Sequence, residues 1–65
     1  MKIQCTEALW SDSYPEFQMG VFYEVKAKTS EHLIIENDMG DNTTISMEHV
    51  RYYFDYDTFI KLLRK

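Results

Sequence analysis

The run Leu33-Ile34-Ile35-Glu36-Asn37-Asp38-Met39-Gly40 constrains this chain more than any other stretch of it. An apolar segment this short, rich in β-branched side chains, favours an extended backbone over a helix, so residues 32–36 predict a strand. It runs into Asn37, an Asx residue suited to open a turn. Gly40 follows three positions later, where a type I turn delivers the chain into positive φ and any Cβ would clash. The pattern dictates a β-hairpin, and residues 42–46 are its return strand.

The flanking sequence adds further short elements. Residues 2–9 alternate as a strand, with Ile3, Cys5 and Glu7 on one face and Lys2, Gln4 and Thr6 on the other. Residues 10–18 break that pattern with Ser11, Asp12, Ser13 and Pro15 while holding Trp10, Tyr14 and Phe17, which predicts a loop rich in aromatics. After Gly20, the residues Val21, Tyr23, Val25 and Ala27 alternate against Glu24, Lys26 and Lys28, with Phe22 out of register. Residues 29–31 form a polar turn. Residues 46–49 read as a single helical turn leading into a last, aromatic strand over 50–54. From Asp55 the period becomes helical, since Tyr56, Phe59, Ile60 and Leu63 share a stripe. Asp55 can cap that helix, Asp57 suits its positive end, and Lys61, Arg64 and Lys65 suit its negative end.

Sixty-five residues make one domain, 1–65. A chain of this size buries only about 60% of the surface it exposes when unfolded, which leaves one thin core and little room for a deep substrate pocket or a cofactor fold. The single cysteine cannot form an internal disulfide, and the first twenty residues lack a basic start followed by an apolar run. The expected location is the cytoplasm. The longest apolar stretch, residues 19–23, is far below the roughly 20 residues of a membrane-spanning helix, so no membrane association is expected.

Five short strands, a long polar first loop, a tight Asx-Gly hairpin and a helical turn before the last strand predict a mainly β chain. They resemble the SH3-like five-stranded small barrel, with the barrel over 1–54 and a short C-terminal α-helix over 55–64. More narrowly, Gly20-Val21-Phe22-Tyr23-Glu24-Val25, then residues 33–40 and 46–50, look like small SH3-like proteins of unknown function encoded by phages and prophages of low-GC Gram-positive bacteria. The resemblance covers residues 19–54 and implies a fold and a host-cell cytoplasmic setting; it transfers no catalytic residue. The ALYDY-like motif and paired tryptophans of peptide-binding SH3 domains are missing, so recognition of proline-rich ligands is not implied.

Chemistry-bearing residues are sparse. Cys5, His32 and His49 stand at no zinc-ligand spacing. A calcium loop with Gly40 in sixth place would put Ile35 first and Ser46 twelfth, where carboxylates are required. No nucleophile, base and orienting group occur together, so neither an enzyme, a metal nor a cofactor is expected. Charge says more: residues 36–57 hold one arginine against six carboxylates, a net −5, while residues 58–65 carry +3. Ten aromatics are more than a thin core can hide. Exposed aromatics beside carboxylates resemble a protein-binding hot spot, here Trp10, Tyr14, Phe17, Glu36, Asp38, Asp41, Tyr53 and Tyr56. The competing reading folds Trp10 and Phe17 back as a second small core, with the acidic excess serving solubility.

The function expected is therefore a non-enzymatic interaction protein. It binds a host protein through this acidic and aromatic face and occludes a basic or nucleic-acid-binding surface. One alternative is a nucleic-acid-associated module using Lys26, Lys28, Arg51 and the basic helix end, against which the scarcity of basic residues argues. Another is a self-associating subunit, since sheet edges and exposed aromatics suit a homodimer.

Overall fold

Asn37, only 6% exposed, organises the hairpin around which the other elements assemble. Its Oδ1 accepts from the Met39 and Asp41 N–H groups at 2.9 and 3.0 Å, and its own N–H donates to the Asp41 carbonyl at 2.8 Å. Gly40 completes the turn at φ 83°, a conformation that a Cβ disfavours. This is the turn that the Asx-Gly spacing predicts.

The computed structural model describes residues 1–11 and 14–64. In chain order the elements are β1 (Lys2–Gln4), β2 (Leu9–Ser11), β3 (Tyr14–Phe17), β4 (Phe22–Lys28), β5 (His32–Glu36), β6 (Asn42–Ser46), α1 (Met47–Tyr53) and α2 (Tyr56–Leu63). The chain is mainly β with a C-terminal helix. An antiparallel four-stranded sheet has the order β1-β4-β5-β6, and β2 pairs with β3 in a separate two-stranded sheet. No strand pairing joins β6 to β1, so the expected five-stranded barrel is not closed among the described residues.

Four expectations need correction. The expected loop over 10–18 instead holds two paired strands, β2 to Ser11 and β3 from Tyr14 to Phe17, because Phe17 is fully buried and fixes β3 against the main sheet; Pro15 is tolerated since both strands of a two-stranded sheet are edges. The first strand ends at Gln4, after which Cys5 keeps the inward alternation through a single bridge to Phe54, while Glu7 is exposed. A bulge between Val25 and Ala27 breaks the alternation of β4, so Tyr23 is buried but Ala27 is exposed, and Val21 lies before the strand and is exposed as well. Residues 50–53 are helical and not a strand. Met47, Val50, Tyr53 and Phe54 recur at helical spacing and pack on the core, and Ser46 caps the helix by accepting from the His49 N–H at 3.4 Å. What remains of the expected last strand is the Cys5–Phe54 bridge, flanked by Thr6 N–H to Tyr53 O at 2.7 Å and Asp55 N–H to Gln4 O at 2.9 Å.

Helix α2 follows the expected design. Asp55 caps it by accepting from the Thr58 N–H at 3.2 Å, and Phe59 is buried between half-buried Tyr56 and Ile60, though Leu63 stays exposed. The core comprises Ile3, Cys5, Phe17, Tyr23, Leu33, Ile35, Ile45, Val50, Phe54 and Phe59. Phe17 lies edge-on to Tyr23 at 4.8 Å and to Phe54 at 5.2 Å between ring centroids, and so joins three elements of the chain.

A domain of this size has roughly 3–10 kcal/mol of stability. Phe17→Ala is expected to cost about 3–5 kcal/mol and leave much of the population unfolded. Asn37→Ala, which strands two turn N–H groups, is expected to cost about 1–3 kcal/mol. Trp10→Ala, at an exposed position, is expected to stay within about 0.5 kcal/mol; urea unfolding of the three variants checks the order.

Candidate protein-interaction site

The two edges of the main sheet differ. The outer edge of β1 is three residues long and is covered by α2 and by the Asp55 N–H bond to Gln4. The outer edge of β6 is five residues long and pairs with no strand among the described residues. Along it runs an open groove of about 440 Å³, walled by Thr43, Thr44, Ile45 and Ser46 of β6, Leu9 of β2, and His49 and Tyr53 of α1. His32, in register with Ser46, closes the end of the groove away from the hairpin turn.

The turn at the other end carries the carboxylates. Glu16 Oε2 accepts from Asn37 Nδ2 at 3.0 Å and from the Thr43 hydroxyl at 3.0 Å, which ties β3 to the β5–β6 turn. The Asp38 carboxylate accepts from the Tyr23 hydroxyl at 3.0 Å and from Gln18 Nε2 at 3.0 Å. That hydroxyl in turn accepts the Gln18 N–H at 2.7 Å. Burial pushes the Tyr23 phenol up to about 12; the Gln18 N–H opposes this and the neighbouring Asp38 charge adds to it. Glu36 pairs with Lys26 at 3.2 Å on the surface, where such a pair contributes little to stability. Asp41 is exposed and has no side-chain partner among the described residues.

The eight residues expected at a binding surface separate accordingly. Phe17 is a core residue and leaves the set, because burying its ring is what holds the hairpin down. Trp10 is 62% exposed, and the Tyr14 side chain lies outside the described residues. Glu36, Asp38 and Asp41 do gather at one turn, although the Asp38 carboxylate is engaged within the fold. Tyr53 lines the groove, whereas Tyr56 faces a different depression with Arg51, Lys61 and Arg64, where the Arg51 guanidinium sits 5.6 Å from its ring centroid. The neighbouring Tyr52 is more exposed than either, at 66%.

Sequence reading missed Leu9, His32 and His49 as groove residues, since nothing local links three positions so far apart. It also missed an apolar patch in which Phe22, 58% exposed, and Leu62 of α2 line one depression beside β1. Phe22 standing out of register in its strand was the available signal.

Cys5 is buried with its thiol donating to the Glu7 carbonyl at 3.0 Å, and burial pushes its pKa up, the opposite of a reactive thiolate. No three His, Cys, Asp or Glu side chains converge on a metal site among the described residues. No helix among the described residues is long and apolar enough to cross a membrane. Comparison with protein-family models, with curated proteins and with solved structures finds no match to this chain.

The Tyr23 phenol gives the site a pH signature. Its pKa is raised in the folded state, so the folded chain holds this proton more tightly than the unfolded one, and the associated stability falls as pH rises from 10 towards 12. Phenolate absorbance should show a component that titrates only towards pH 12, and Tyr23→Phe should remove that component.

Proposed function

We propose that the chain is a non-enzymatic interaction protein, encoded by a phage or prophage, that binds a host protein in the host cytoplasm and occludes a basic or nucleic-acid-binding surface. The observation carrying this reading is the position of the acidic turn, with Asp41 exposed and without a side-chain partner among the described residues, next in sequence to the Thr43 end of an open groove that Tyr53 lines. A turn held by Asn37, Glu16 and Tyr23 presents its charge in a fixed place, which favours a partner of complementary potential. Trp10, exposed on β2 next to the groove residue Leu9, supplies an aromatic anchor of the kind that dominates protein interfaces.

The same proposal takes the fold as an opened relative of the SH3-like small barrel. Supporting it are the hairpin β2–β3 in the place of the long first loop, the tight β5–β6 turn, and α1 followed by the Phe54 bridge where the last strand would lie.

A second reading has one observation in its favour. Arg51, Lys61 and Arg64 share a depression with Tyr56 and with one carboxylate, Asp57, a surface of net positive charge with an aromatic face that suits a nucleic-acid backbone. Lys26, engaged with Glu36, does not add to it.

Capture from a lysate of a Gram-positive bacterium on the immobilised chain tests both. A stoichiometric protein partner that survives nuclease treatment, and that binds about 5- to 30-fold more weakly to Trp10→Ala or Asp41→Asn, is expected. Retention of nucleic acid alone, lost on Arg51→Ala, would favour the second reading. No stoichiometric partner, or one indifferent to both substitutions, would overturn the first.

A further inference from the structure

We infer that the groove along β6 accepts an extended segment of a partner protein as an added β-strand, a segment apolar or β-branched at its centre and basic at its ends. This rests on the reading of the chain as a protein-binding module and assigns that binding a place and a chemistry.

At the turn, the Asn37 N–H bonds to Asp41 O, and at the far end of the hairpin the Met47 N–H bonds to Glu31 O. Antiparallel pairing alternates between bonded and non-bonded rows, so the rows between those ends that exchange bonds are Ile35 with Thr43 and Leu33 with Ile45. Asn42 and Thr44 therefore direct both N–H and C=O away from β5, and Ser46 its N–H, and among the described residues none of these groups meets another backbone group. Natural edge strands are protected by charge, proline, a bulge, short length or a cover. β6 is Asn-Thr-Thr-Ile-Ser, five residues without charge, proline or bulge, in full register with β5. β1, by contrast, is short and covered.

The groove beside that edge has the character of a strand site. Its volume of about 440 Å³ falls within the roughly 300–1,000 Å³ of ligand-binding clefts. Leu9, Ile45 and Tyr53 offer apolar surface to one side chain of an incoming strand, while the backbone supplies the pairing bonds, which is how strand addition divides specificity from affinity.

Charge chooses the occupant. Glu36, Asp38 and Asp41 stand at one end of β6, and Glu31 and Glu48, each next in sequence to a groove-lining histidine, His32 or His49, at the other. Lys26 is engaged with Glu36 on the turn side. Both ends thus favour a segment with lysine or arginine flanking an uncharged centre. A second copy of the chain fits worse. Two β6 strands paired antiparallel about Thr44 would carry the Asp41 end of each copy to the Glu48 end of the other and oppose like charges.

The test is a selection of random twelve-residue peptides, displayed on yeast, against the 65-residue chain. Selected peptides should carry a β-branched or apolar centre between basic residues. N-methylation of every second amide, in the phase that faces β6, should weaken binding at least tenfold, whereas the other phase should leave it unchanged. Thr44→Pro, with its fold checked by NMR, should abolish binding; if that variant fails to fold, the N-methyl series decides alone. Binders indifferent to N-methylation in either phase would overturn strand addition here, and binders without basic ends would overturn the choice of occupant, both leaving the protein-binding reading intact. A concentration-dependent dimer abolished by Thr44→Pro would overturn the choice of occupant. No binder would overturn this inference, and the wider reading would fall with it only if capture from lysate also returned nothing.

Discussion

The attachment of β3 to the β5–β6 hairpin is the contact on which the rest of the structure depends. Phe17 buries its ring against Tyr23 and Phe54, and one residue earlier Glu16 lends its carboxylate to Asn37 and Thr43 while its carbonyl accepts the Asp38 N–H at 3.1 Å. An apolar anchor and a polar latch thus act side by side. The anchor supplies burial, worth about 1.5–3 kcal/mol for a side chain of this size, and the latch satisfies groups that could not be left buried alone. In a domain with a single thin core, a two-stranded sheet has no stability of its own, and this docking lets β2 and β3 persist.

That docking also divides the acidic residues by role. Glu16 and Asp38 are acidic because the fold needs acceptors at those points: one receives Asn37 and Thr43, the other Tyr23 and Gln18. Asp41 takes no part in this network, and its exposed carboxylate meets no side-chain partner among the described residues. A net −5 segment is therefore part scaffold and part surface. The aromatics divide the same way, with Phe17, Tyr23, Phe54 and Phe59 in the core and Trp10, Phe22 and Tyr52 on the outside.

The open β6 edge follows from how the chain spends residues 47–54. Once Ser46 caps a helix and Val50 turns inward, no extended backbone is left to form a long last strand, and only Phe54 returns to bridge Cys5. That bridge, together with α2, protects the β1 edge. The β6 edge receives only a distant wall from Leu9, His49 and Tyr53, and the space between becomes the groove.

Local chemistry made the hairpin legible: Asn37 and Gly40 can do little else at that spacing, and the alternation of Ile3 with Cys5 and the stripe of α2 rest on equally short-range physics. The acidic turn was legible for the same reason, since Glu36, Asp38 and Asp41 are neighbours along the chain. The groove was not, because Leu9, His32, His49 and Tyr53 meet only through tertiary packing. Phe17 and Trp10, alike in a polar aromatic stretch, could not be told apart, as pairing with β2 and burial against Tyr23 decide which ring turns inward. Residues 50–53 misled because aromatic and β-branched side chains suit a strand locally, whereas the cap at Ser46 and the inward spacing of Val50, Tyr53 and Phe54 act only once a core exists to receive them. By itself, then, the sequence determined the turn, the strands beside it and the last helix through local backbone preferences; which aromatics are buried, which edge stays open and where a partner could lie were decided by long-range packing alone.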